Sequence, residues 1–243
     1  MNLLNKRVFI TGGALRIGRE IALALAELGA IITISYNESK EESKKLLKIL
    51  SQKNSGHSAV KLELNRKIPA NFFDKIGLVD ILINNASVYF PDDFTKESFD
   101  NIENQFKVNF LSPLFLSKLF YMQVKNTGSI INMLDCRINN LERADGSYWL
   151  SKKALHSATE LLAVQYAPKV RVNAIAPGAI LPPSKTKSFS LEKAAQAAPL
   201  QKLPTLKNLT DAVIFLLEND SITGQTIFVD SGRHLRKNQK SSE

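Results

Sequence analysis

The sequence predicts an α/β fold built on a parallel β-sheet, and three observations lead to this prediction. The chain has 243 residues, of which 44% are hydrophobic and 23% are charged, so one large domain can bury a sizeable core. Short apolar runs alternate with longer helical patterns along the whole chain, which is typical of parallel strands joined by helical crossovers. These runs are continuously apolar, which indicates strands that are buried on both faces.

The predicted elements follow one another without a Gly/Ser-rich linker or an internal repeat. The strand-like runs are residues 7–10, 31–36, 58–64, 79–84, 128–134, 170–176 and 225–230. Helical patterns lie between them at residues 18–28, 39–53, 97–124, 147–166 and 207–218. Residues 178–206 contain four prolines and weak periodicity, which predicts an irregular flap with a short helix. Residues 237–243 are expected to form a disordered tail, so the single domain covers residues 1–236.

The composition excludes several classes of protein. No apolar run approaches the roughly 18 residues that a membrane span needs, and the first seven residues lack the apolar core of a signal peptide. The single cysteine, Cys136, cannot form an internal disulfide, so we expect a cytoplasmic protein with a buried rather than a reactive thiol. His57 and His156 have no Cys or His companions at metal-ligand spacing, so we expect no metal site.

The net charge of +9 could indicate a nucleic-acid ligand. However, many basic residues lie in residues 38–53, which mix both signs like a solvated helix face, and in residues 236–243. We therefore expect neither a nucleic acid nor a membrane as a partner. The alternative is that the basic balance attracts an anionic cofactor or substrate.

The first predicted strand runs into TGGALRIG, residues 11–18, which opens the next helix. Gly12 and Gly13 permit a tight turn and a close approach of the backbone to a pyrophosphate, and Gly18 permits close helix packing. The N-terminus of the helix favours phosphate through its free N–H groups and its dipole. The pattern predicts a dinucleotide-binding loop, and an ordinary strand-to-helix turn is the alternative.

Arg16 and the end of the second strand indicate NADPH rather than NADH. Arg16 stands where a second glycine would be expected, and its side chain can pair with a 2′-phosphate on the adenosine ribose. Tyr36 and Asn37 end the strand where NAD-binding folds often place an acid for the 2′-hydroxyl. Ser39 could donate a hydrogen bond to the phosphate, whereas Glu38 argues against NADPH unless its side chain points to solvent.

Tyr148 and Lys152 are four residues apart in SYWLSK, on a predicted helix. This spacing places both side chains on one helix face. We expect the ammonium to lower the pKa of the phenol from about 10 and to make the tyrosine a general acid. An ordinary surface pair is the alternative for this spacing alone.

Taken in order, these motifs resemble the short-chain dehydrogenase/reductase family over essentially the whole chain. The supporting residues are TGGALRIG, NNAS at 84–87, Asn109, the Tyr148–Lys152 pair and the Pro-Gly that follows the sixth strand. The resemblance implies a Rossmann-type, doubly wound sheet of about seven parallel strands with helices on both faces, a nicotinamide cofactor and a homotetramer. It also implies that Tyr148 donates a proton, that Lys152 also holds the nicotinamide ribose, and that Asn109 supports a water-mediated proton relay.

The resemblance further implies a set of cofactor-binding residues. Asn65 stands where the family usually has an aspartate that contacts adenine, and Asn84 and Ala86 line the cofactor. The expected NADPH-binding set is Gly12, Arg16, Ile17, Gly18, Tyr36, Asn37, Ser39, Leu64, Asn65, Asn85, Ala86, Ser87, Tyr148, Lys152, Pro177, Gly178 and Ile180.

Three departures from the ordinary family pattern resemble its pteridine reductase branch, which includes bacterial dihydromonapterin and dihydrofolate reductases. They are Arg16, NNASVYFP at 84–91, and Asp135 where most members carry a serine thirteen residues before the tyrosine. An acid is a poor partner for a ketone, but an Asp–Tyr pair could supply and relay the proton that a C=N bond needs. A helix or loop cap is the alternative role for Asp135.

In that branch, the serine that matches Ser87 contacts cofactor and pterin, and an aromatic residue matching Tyr89 stacks on the pterin ring. Phe90 could substitute for Tyr89, which could instead belong to the core. The expected substrate site is therefore Ser87, Tyr89, Asp135 and Tyr148, and the expected reaction is NADPH-dependent reduction of a pterin C=N bond. A carbonyl reductase of 3-oxoacyl thioesters or sugars and a non-catalytic NADP-binding protein are the alternatives.

The last predicted strand is followed by DSGRHLR, residues 230–236, which also resembles the bacterial members of this branch. In related tetramers the C-terminus reaches toward a neighbouring active site. The resemblance therefore implies that Arg233, His234 or Arg236 could act in the site of another subunit.

Overall fold

The carboxyl edge of a seven-stranded parallel sheet positions the site. The structure is a computed structural model, and it describes residues 1–90, 93–139, 146–182 and 190–236. Within these residues the strand order is β3-β2-β1-β4-β5-β6-β7, which confirms the predicted Rossmann-type α/β fold. The strands are β1 Arg7–Ile10, β2 Ile31–Tyr36, β3 Ser58–Lys61, β4 Ile81–Asn84, β5 Gly128–Met133, β6 Val170–Pro177 and β7 Thr226–Val229.

Helices cover both faces of the sheet. Those in the described residues are α1 Arg16–Glu27, α2 Lys40–Leu50, α3 Phe72–Ile76, α4 Phe99–Phe106, α5 Ser112–Gln123, α6 Gly146–Tyr166, α7 Leu191–Gln196 and α8 Leu206–Glu218. The helix predicted at 97–124 is α4 and α5 joined by a π-helical turn, Lys107–Leu111. The sequence pattern did not predict α3, which has five residues. None of the described helices is long and apolar enough to cross a membrane.

The central strands β1, β4, β5 and β6 are largely buried on both faces, as their continuous apolar character predicts, whereas the edge strands β3 and β7 are only partly buried. Val8 and Ile10 of β1 belong to one core cluster, together with residues of α1 and α8. Phe9, between them, belongs to a second cluster that includes residues of α5 and α6. The strand predicted at 58–64 ends early, at Lys61, because its partner β2 ends at Tyr36 in the paired position.

The strand order places a crevice at the centre of the carboxyl edge. β1 pairs with β2 on one side and with β4 on the other. The connections that leave β1 and β4 therefore run to opposite faces of the sheet, and the space between them is where doubly wound sheets bind ligands.

The predicted flap at 178–206 is described in part. Ser190 caps α7, and Thr205 caps α8 through a reciprocal pair of hydrogen bonds with Asn208. Residues 183–189 of the flap and the predicted tail at 237–243 lie outside the described residues.

Candidate active site

Hydrogen bonds join the glycine loop after β1 to the segment after β4. The Thr11 Oγ1 atom accepts the N–H groups of Asn85 and Ala86 at 2.9 and 3.0 Å. The side-chain Nδ2 atom of Asn85 donates to the carbonyl oxygens of Thr11 and Gly12 at 2.9 and 3.1 Å. These bonds fix both walls of the crevice to each other. The sequence pattern did not reveal this role of Thr11.

The glycine loop has the shape and charge that a pyrophosphate requires. Gly12 has a φ of +62°, and a Cβ atom there would lie 3.0 Å from the Ala86 Cα atom. A Cβ atom on Gly18 would lie 2.5 Å from both the Gly12 carbonyl oxygen and the Asn85 Nδ2 atom. Leu15 precedes α1 without a side-chain cap, and the first turn has no acidic residue. The positive end of α1 is therefore suited to an anion.

Arg16 adopts a backbone conformation that favours glycine. Its φ is +53°, which costs a non-glycine residue on the order of 1 kcal/mol. The side chain is exposed, and its Nη2 atom donates to the carbonyl oxygen of Pro182 at 2.8 Å. Arg16 thus connects the glycine loop to the start of the flap, while its pairing with a 2′-phosphate remains a prediction.

The residues after β2 leave their side chains available. Asn37 and Glu38 are exposed, and Tyr36 and Ser39 are half-buried. Ser39 precedes α2, but its hydroxyl does not cap that helix. The structure therefore places Glu38 in solvent, as the NADPH prediction requires.

The other expected cofactor residues lie on the same edge of the sheet. Ile17 and Ile180 pack against one core cluster from the glycine loop and from the segment after β6. Leu64 is buried, and its carbonyl oxygen accepts the Ser112 hydroxyl, whereas the neighbouring Asn65 is exposed. Pro177 ends β6, and a Cβ atom on Gly178 would lie 2.8 Å from the Asp230 Cα atom.

The side chain of Asn84 lies in the core, so its predicted contact with the cofactor stays a prediction for the backbone only. Its side chain is only 2% exposed. The Nδ2 atom donates to the Asn132 Oδ1 atom at 2.8 Å and to the Ser117 hydroxyl at 3.3 Å. Asn84 therefore ties β4 to β5 and α5, and its neighbour Asn85 faces the glycine loop instead.

Asn109 holds the segment after β4 against α6. It is fully buried in the π-helical turn, a feature often found at functional sites. The Oδ1 atom accepts the Ser87 hydroxyl at 3.0 Å and the Val88 N–H at 2.9 Å. The Nδ2 atom donates to the Val88 carbonyl at 2.9 Å and to the Ser151 hydroxyl at 3.2 Å. Its participation in a proton relay remains a prediction.

A second buried network lies one helical turn away from Asn109. Gln105 donates to the Glu97 carboxylate at 2.6 Å and to the Ser147 hydroxyl at 2.7 Å, and it accepts the Phe90 N–H at 3.2 Å. The Glu97 carboxylate also accepts the Ser147 N–H at 2.8 Å, in the first turn of α6. The network therefore positions both the residue before Tyr148 and the residue after Tyr89. The sequence analysis missed it.

The structure places Asp135 beside Tyr148. The Tyr148 hydroxyl donates to the Asp135 Oδ2 atom at 2.9 Å. Asp135 follows β5, and Tyr148 lies in the first turns of α6 and is 6% exposed. The acid and the phenol predicted to act together are therefore in direct contact.

Arg137, which the sequence analysis also missed, forms an ion pair with Asp135. Its Nε atom donates to Oδ1 at 3.1 Å, and its Nη2 atom donates to Oδ2 at 3.0 Å. Burial alone would raise the pKa of Asp135, but the charge and hydrogen bonds of Arg137 outweigh burial and hold this pKa below its ordinary value. Asp135 is therefore a carboxylate at neutral pH, which corrects the expectation that it supplies a proton.

The pKa of Tyr148 moves in the opposite direction to the prediction. Burial and the negative charge of Asp135 raise this pKa well above its ordinary value. Lys152 does not reverse the shift, because its Nζ atom lies 5.9 Å from the Tyr148 ring centroid and donates to the Met133 carbonyl at 2.9 Å. Burial lowers the pKa of Lys152 to about 8. Tyr148 therefore carries its proton at neutral pH, as a general acid must.

Tyr89 provides an aromatic wall beside this group. Its ring centroid lies 4.7 Å from that of Tyr148, at an interplanar angle of 63°. The Tyr89 hydroxyl accepts a hydrogen bond from the Arg137 Nη1 atom at 3.2 Å. Ser87 is exposed at the mouth of the crevice, and the Phe90 N–H is held by Gln105.

The C-terminal turn, Arg233–Leu235, packs against the turn that contains Arg137. His234 is held within its own chain, because its Nδ1 atom lies 2.9 Å from the Asp230 carboxylate and its ring stacks on Phe228 at 4.0 Å. A contact of Arg233, His234 or Arg236 with another subunit remains a prediction. Cys136, in the turn that contains Arg137, is buried, and burial raises the pKa of its thiol.

His57 and His156 lie outside this region. The His57 Nδ1 atom accepts the Ile32 N–H at 3.0 Å, and its Nε2 atom lies 2.6 Å from the Asn54 Oδ1 atom. Half-burial lowers the pKa of His156. In the described part of the chain, no three His, Cys, Asp or Glu side chains are grouped so that they could hold a metal ion.

Comparisons with known proteins agree with this geometry. A family model described as enoyl-(acyl carrier protein) reductase matches residues 13–234. FolM alternative dihydrofolate reductase 1 of Brucella canis, solved in complex with NADP, is 33% identical, with a TM-score of 0.90 and 98% of each chain covered. The FolM protein of Brucella suis, also solved with NADP, is 33% identical with a TM-score of 0.92 and the same coverage of 98%.

The chain is also similar to a reductase that is named for a sugar rather than for dihydrofolate. L-xylulose reductase of Mus musculus is 28% identical over 96% of this chain and 98% of its own length. The family match extends over most of the chain and coincides with the seven-stranded sheet and its crevice. The chain therefore belongs to the short-chain dehydrogenase/reductase family.

Proposed function

We propose that this protein is a pteridine reductase, which reduces a C=N bond of a dihydropterin with NADPH to give the tetrahydropterin. The observation that carries the proposal is the 2.9 Å hydrogen bond from Tyr148 to the carboxylate of Asp135, at the position where most family members have a serine. The 33% identity to the two FolM dihydrofolate reductases supports it, and dihydromonapterin and dihydrofolate are the candidate substrates. At the coarser level, the chain is a short-chain oxidoreductase that uses NADP(H).

The crevice provides groups for each part of the cofactor. The loop between Gly12 and Gly18 would hold the pyrophosphate, because its backbone leaves no room for a Cβ atom and leads into the positive end of α1. Arg16 would bind the 2′-phosphate together with Ser39, since the guanidinium has five N–H donors and uses one on Pro182. Lys152 would orient the nicotinamide ribose. The hydride that the carbon of the C=N bond receives would come from NADPH when the cofactor is bound.

Tyr148 supplies the proton in this mechanism. Its O–H bond breaks as a new N–H bond forms on the substrate nitrogen, and the negative charge moves to the phenol oxygen. Two cations would offset this charge: the Arg137 guanidinium, whose Cζ atom lies 5.2 Å from the Tyr148 ring centroid, and the Lys152 ammonium, whose Nζ atom lies 5.9 Å from it. A proton from solvent then restores the phenol, and Tyr89 offers its ring to a flat substrate.

Carbonyl reduction is the second candidate function, and the similarity to L-xylulose reductase favours it. Tyr148, Lys152 and Asn109 could serve a C=O bond equally well. Position 135, however, has a carboxylate, which repels a carbonyl oxygen. A serine hydroxyl at this position could instead donate a hydrogen bond to that oxygen.

Steady-state oxidation of NADPH separates the candidates. Dihydrobiopterin, dihydrofolate, acetoacetyl thioester and L-xylulose would be assayed side by side at equal concentrations. We expect kcat/KM to be highest for a dihydropterin. A higher value for the thioester or the sugar would overturn the pterin proposal, and binding of NADPH without turnover of any of these substrates would favour a non-catalytic protein.

We also propose that the protein is a cytoplasmic homotetramer. Met122 of α5 and Leu161 and Val164 of α6 are 68%, 53% and 79% exposed, and α5 contacts α6, so these apolar side chains are candidates for a subunit interface. Light scattering coupled to size exclusion should give four times the chain mass of 27.0 kDa. A monomeric mass would contradict this assembly.

A further inference from the structure

We propose that Arg137 is a positioning residue of the active site, which fixes Asp135 as a carboxylate and braces the Tyr89 ring against Tyr148. The inference deepens the proposed function and rests on it for the identity of the substrate. A carboxylate can only accept hydrogen bonds. The substrate atom that meets Asp135 must therefore carry a hydrogen, as the N–H groups of a pterin do.

The backbone holds Arg137 in a fixed position relative to Asp135. Both residues belong to the turn after β5, in which the Ile138 N–H donates to the Asp135 carbonyl at 3.1 Å. The Trp149 Nε1 atom donates to the Arg137 carbonyl at 2.7 Å and ties this turn to α6. The Arg137 N–H itself donates to the Asp135 Oδ1 atom at 2.9 Å. The guanidinium therefore needs little additional ordering to form its two bonds to the carboxylate.

The same guanidinium contacts both tyrosines. Its Cζ atom lies 4.8 Å from the Tyr89 ring centroid and 5.2 Å from the Tyr148 ring centroid. The Nη1 atom also donates to the Tyr89 hydroxyl. One side chain thus connects the acid, the proton donor and the aromatic wall, and a lysine at this position could not form all of these planar contacts.

Several charged or titratable groups surround Asp135. Arg137 and Cys136 lie on the same turn as Asp135, and Tyr148 and Lys152 face Asp135 from α6. Tyr89, in the segment after β4, contacts Arg137. Arg233 and Asp230 face Cys136 from the C-terminal region. Lys152 directs its Nζ atom to the Met133 carbonyl, whereas Arg137 binds the carboxylate directly. Removal of Arg137 should therefore let burial raise the pKa of Asp135 above its unfolded value of about 3.9.

The first test does not depend on the substrate. In the wild-type protein the pKa of Asp135 is lower in the folded state, so this group stabilises the protein above the unfolded pKa. In Arg137→Met the folded pKa should be the higher one, so this group should stabilise the protein only at low pH and lose its contribution as pH rises through the folded pKa. Relative to wild type, the Tm of Arg137→Met should fall as pH rises from about 4 toward 8, because the unfolded pKa is about 3.9 and the folded pKa is higher.

The double variant Arg137→Met/Asp135→Asn is the matched control, because it has no carboxylate to titrate. Its Tm should run parallel to that of wild type over the same pH range. A parallel curve for the single variant would overturn the inference. If only the single variant fails to fold, the unpaired carboxylate explains the failure; if both variants fail, the ion pair is not the cause and the inference is overturned.

The second test uses the pH dependence of kcat/KM for dihydrobiopterin. Arg137→Lys retains the cation without the planar fork, and we expect kcat to fall by about tenfold to a hundredfold with a smaller change in KM. In Arg137→Met the acidic limb of the profile should move to higher pH, and guanidinium ion should partly restore activity. A uniform loss of activity with an unmoved limb would indicate a purely structural role. Absence of pterin turnover by the wild-type enzyme would refute the proposed function and leave the stability test intact.

Discussion

Glu97→Leu tests whether the buried network behind Tyr148 supports the site. The Glu97 carboxylate accepts the Ser147 N–H at 2.8 Å and the Gln105 amide at 2.6 Å, and both partners are fully buried. The substitution would leave the Ser147 N–H and one Gln105 N–H without an acceptor. Each unsatisfied buried group costs about 1–3 kcal/mol, so we expect the two groups to lower the free energy of unfolding by about 2–6 kcal/mol.

In a domain of this length each kcal/mol lowers Tm by about 2–4 °C, so we expect a decrease of at least about 4 °C, which differential scanning calorimetry resolves. We also expect kcat to fall, because Ser147 precedes Tyr148 and Gln105 holds the segment that carries Tyr89. Glu41→Leu is the control, since Glu41 forms an exposed ion pair with Lys44 and should change stability by less than about 0.5 kcal/mol. Equal Tm values for the two variants would refute the role of the network.

Two further predictions concern the cofactor and the proton donor. Arg16→Ala should lower the preference for NADPH over NADH by about tenfold, measured as the ratio of the two kcat/KM values, because a guanidinium–phosphate pair is lost; an unchanged ratio would remove Arg16 from the phosphate site. Since burial lowers the pKa of Lys152 to about 8, kcat should fall as pH rises through about 8 and the ammonium is lost. Lys152→Met should be slower at all pH values and should lack this limb, and a variant that keeps the limb would assign it to another group.

The fold could be predicted because most of its strands and helices leave a local signal. β1 and β2 are short apolar runs, and α1 follows a glycine loop whose spacing is characteristic. The helix α3 escaped prediction because its five residues span little more than one turn, too few to show a helical period. β3 was predicted too long because its end is set by its partner strand rather than by its own residues.

The candidate site was predicted only in part, for three physical reasons. Which of Asn84 and Asn85 faces the crevice depends on the phase of β4, and a strand buried on both faces shows no alternation that reveals it. Arg137 is two residues from Asp135, and its side chain reaches the Asp135 carboxylate only because of the backbone conformation of the turn. The sequence pattern does not reveal this conformation. The Glu97 contact joins residues that are far apart in the chain, so no local pattern shows it.

The pKa of Tyr148 shows the same limit. Helical spacing correctly placed Lys152 on the same face, but spacing does not reveal burial or the direction of the ammonium. The carboxylate of Asp135 in contact with the phenol, together with burial, outweighs the more distant cation. The Tyr148–Lys152 motif alone therefore does not give the sign of the pKa shift of Tyr148, because the sign also depends on Asp135.

We propose that a carboxylate in contact with the proton-donating phenol selects C=N rather than C=O bonds for reduction. The most direct measurement compares wild type with Asp135→Ser in the ratio of kcat/KM for dihydrobiopterin to that for acetoacetyl thioester. We predict that the substitution lowers pterin turnover by about a hundredfold or more and shifts the ratio toward the thioester. Undiminished pterin turnover by Asp135→Ser would contradict the claim.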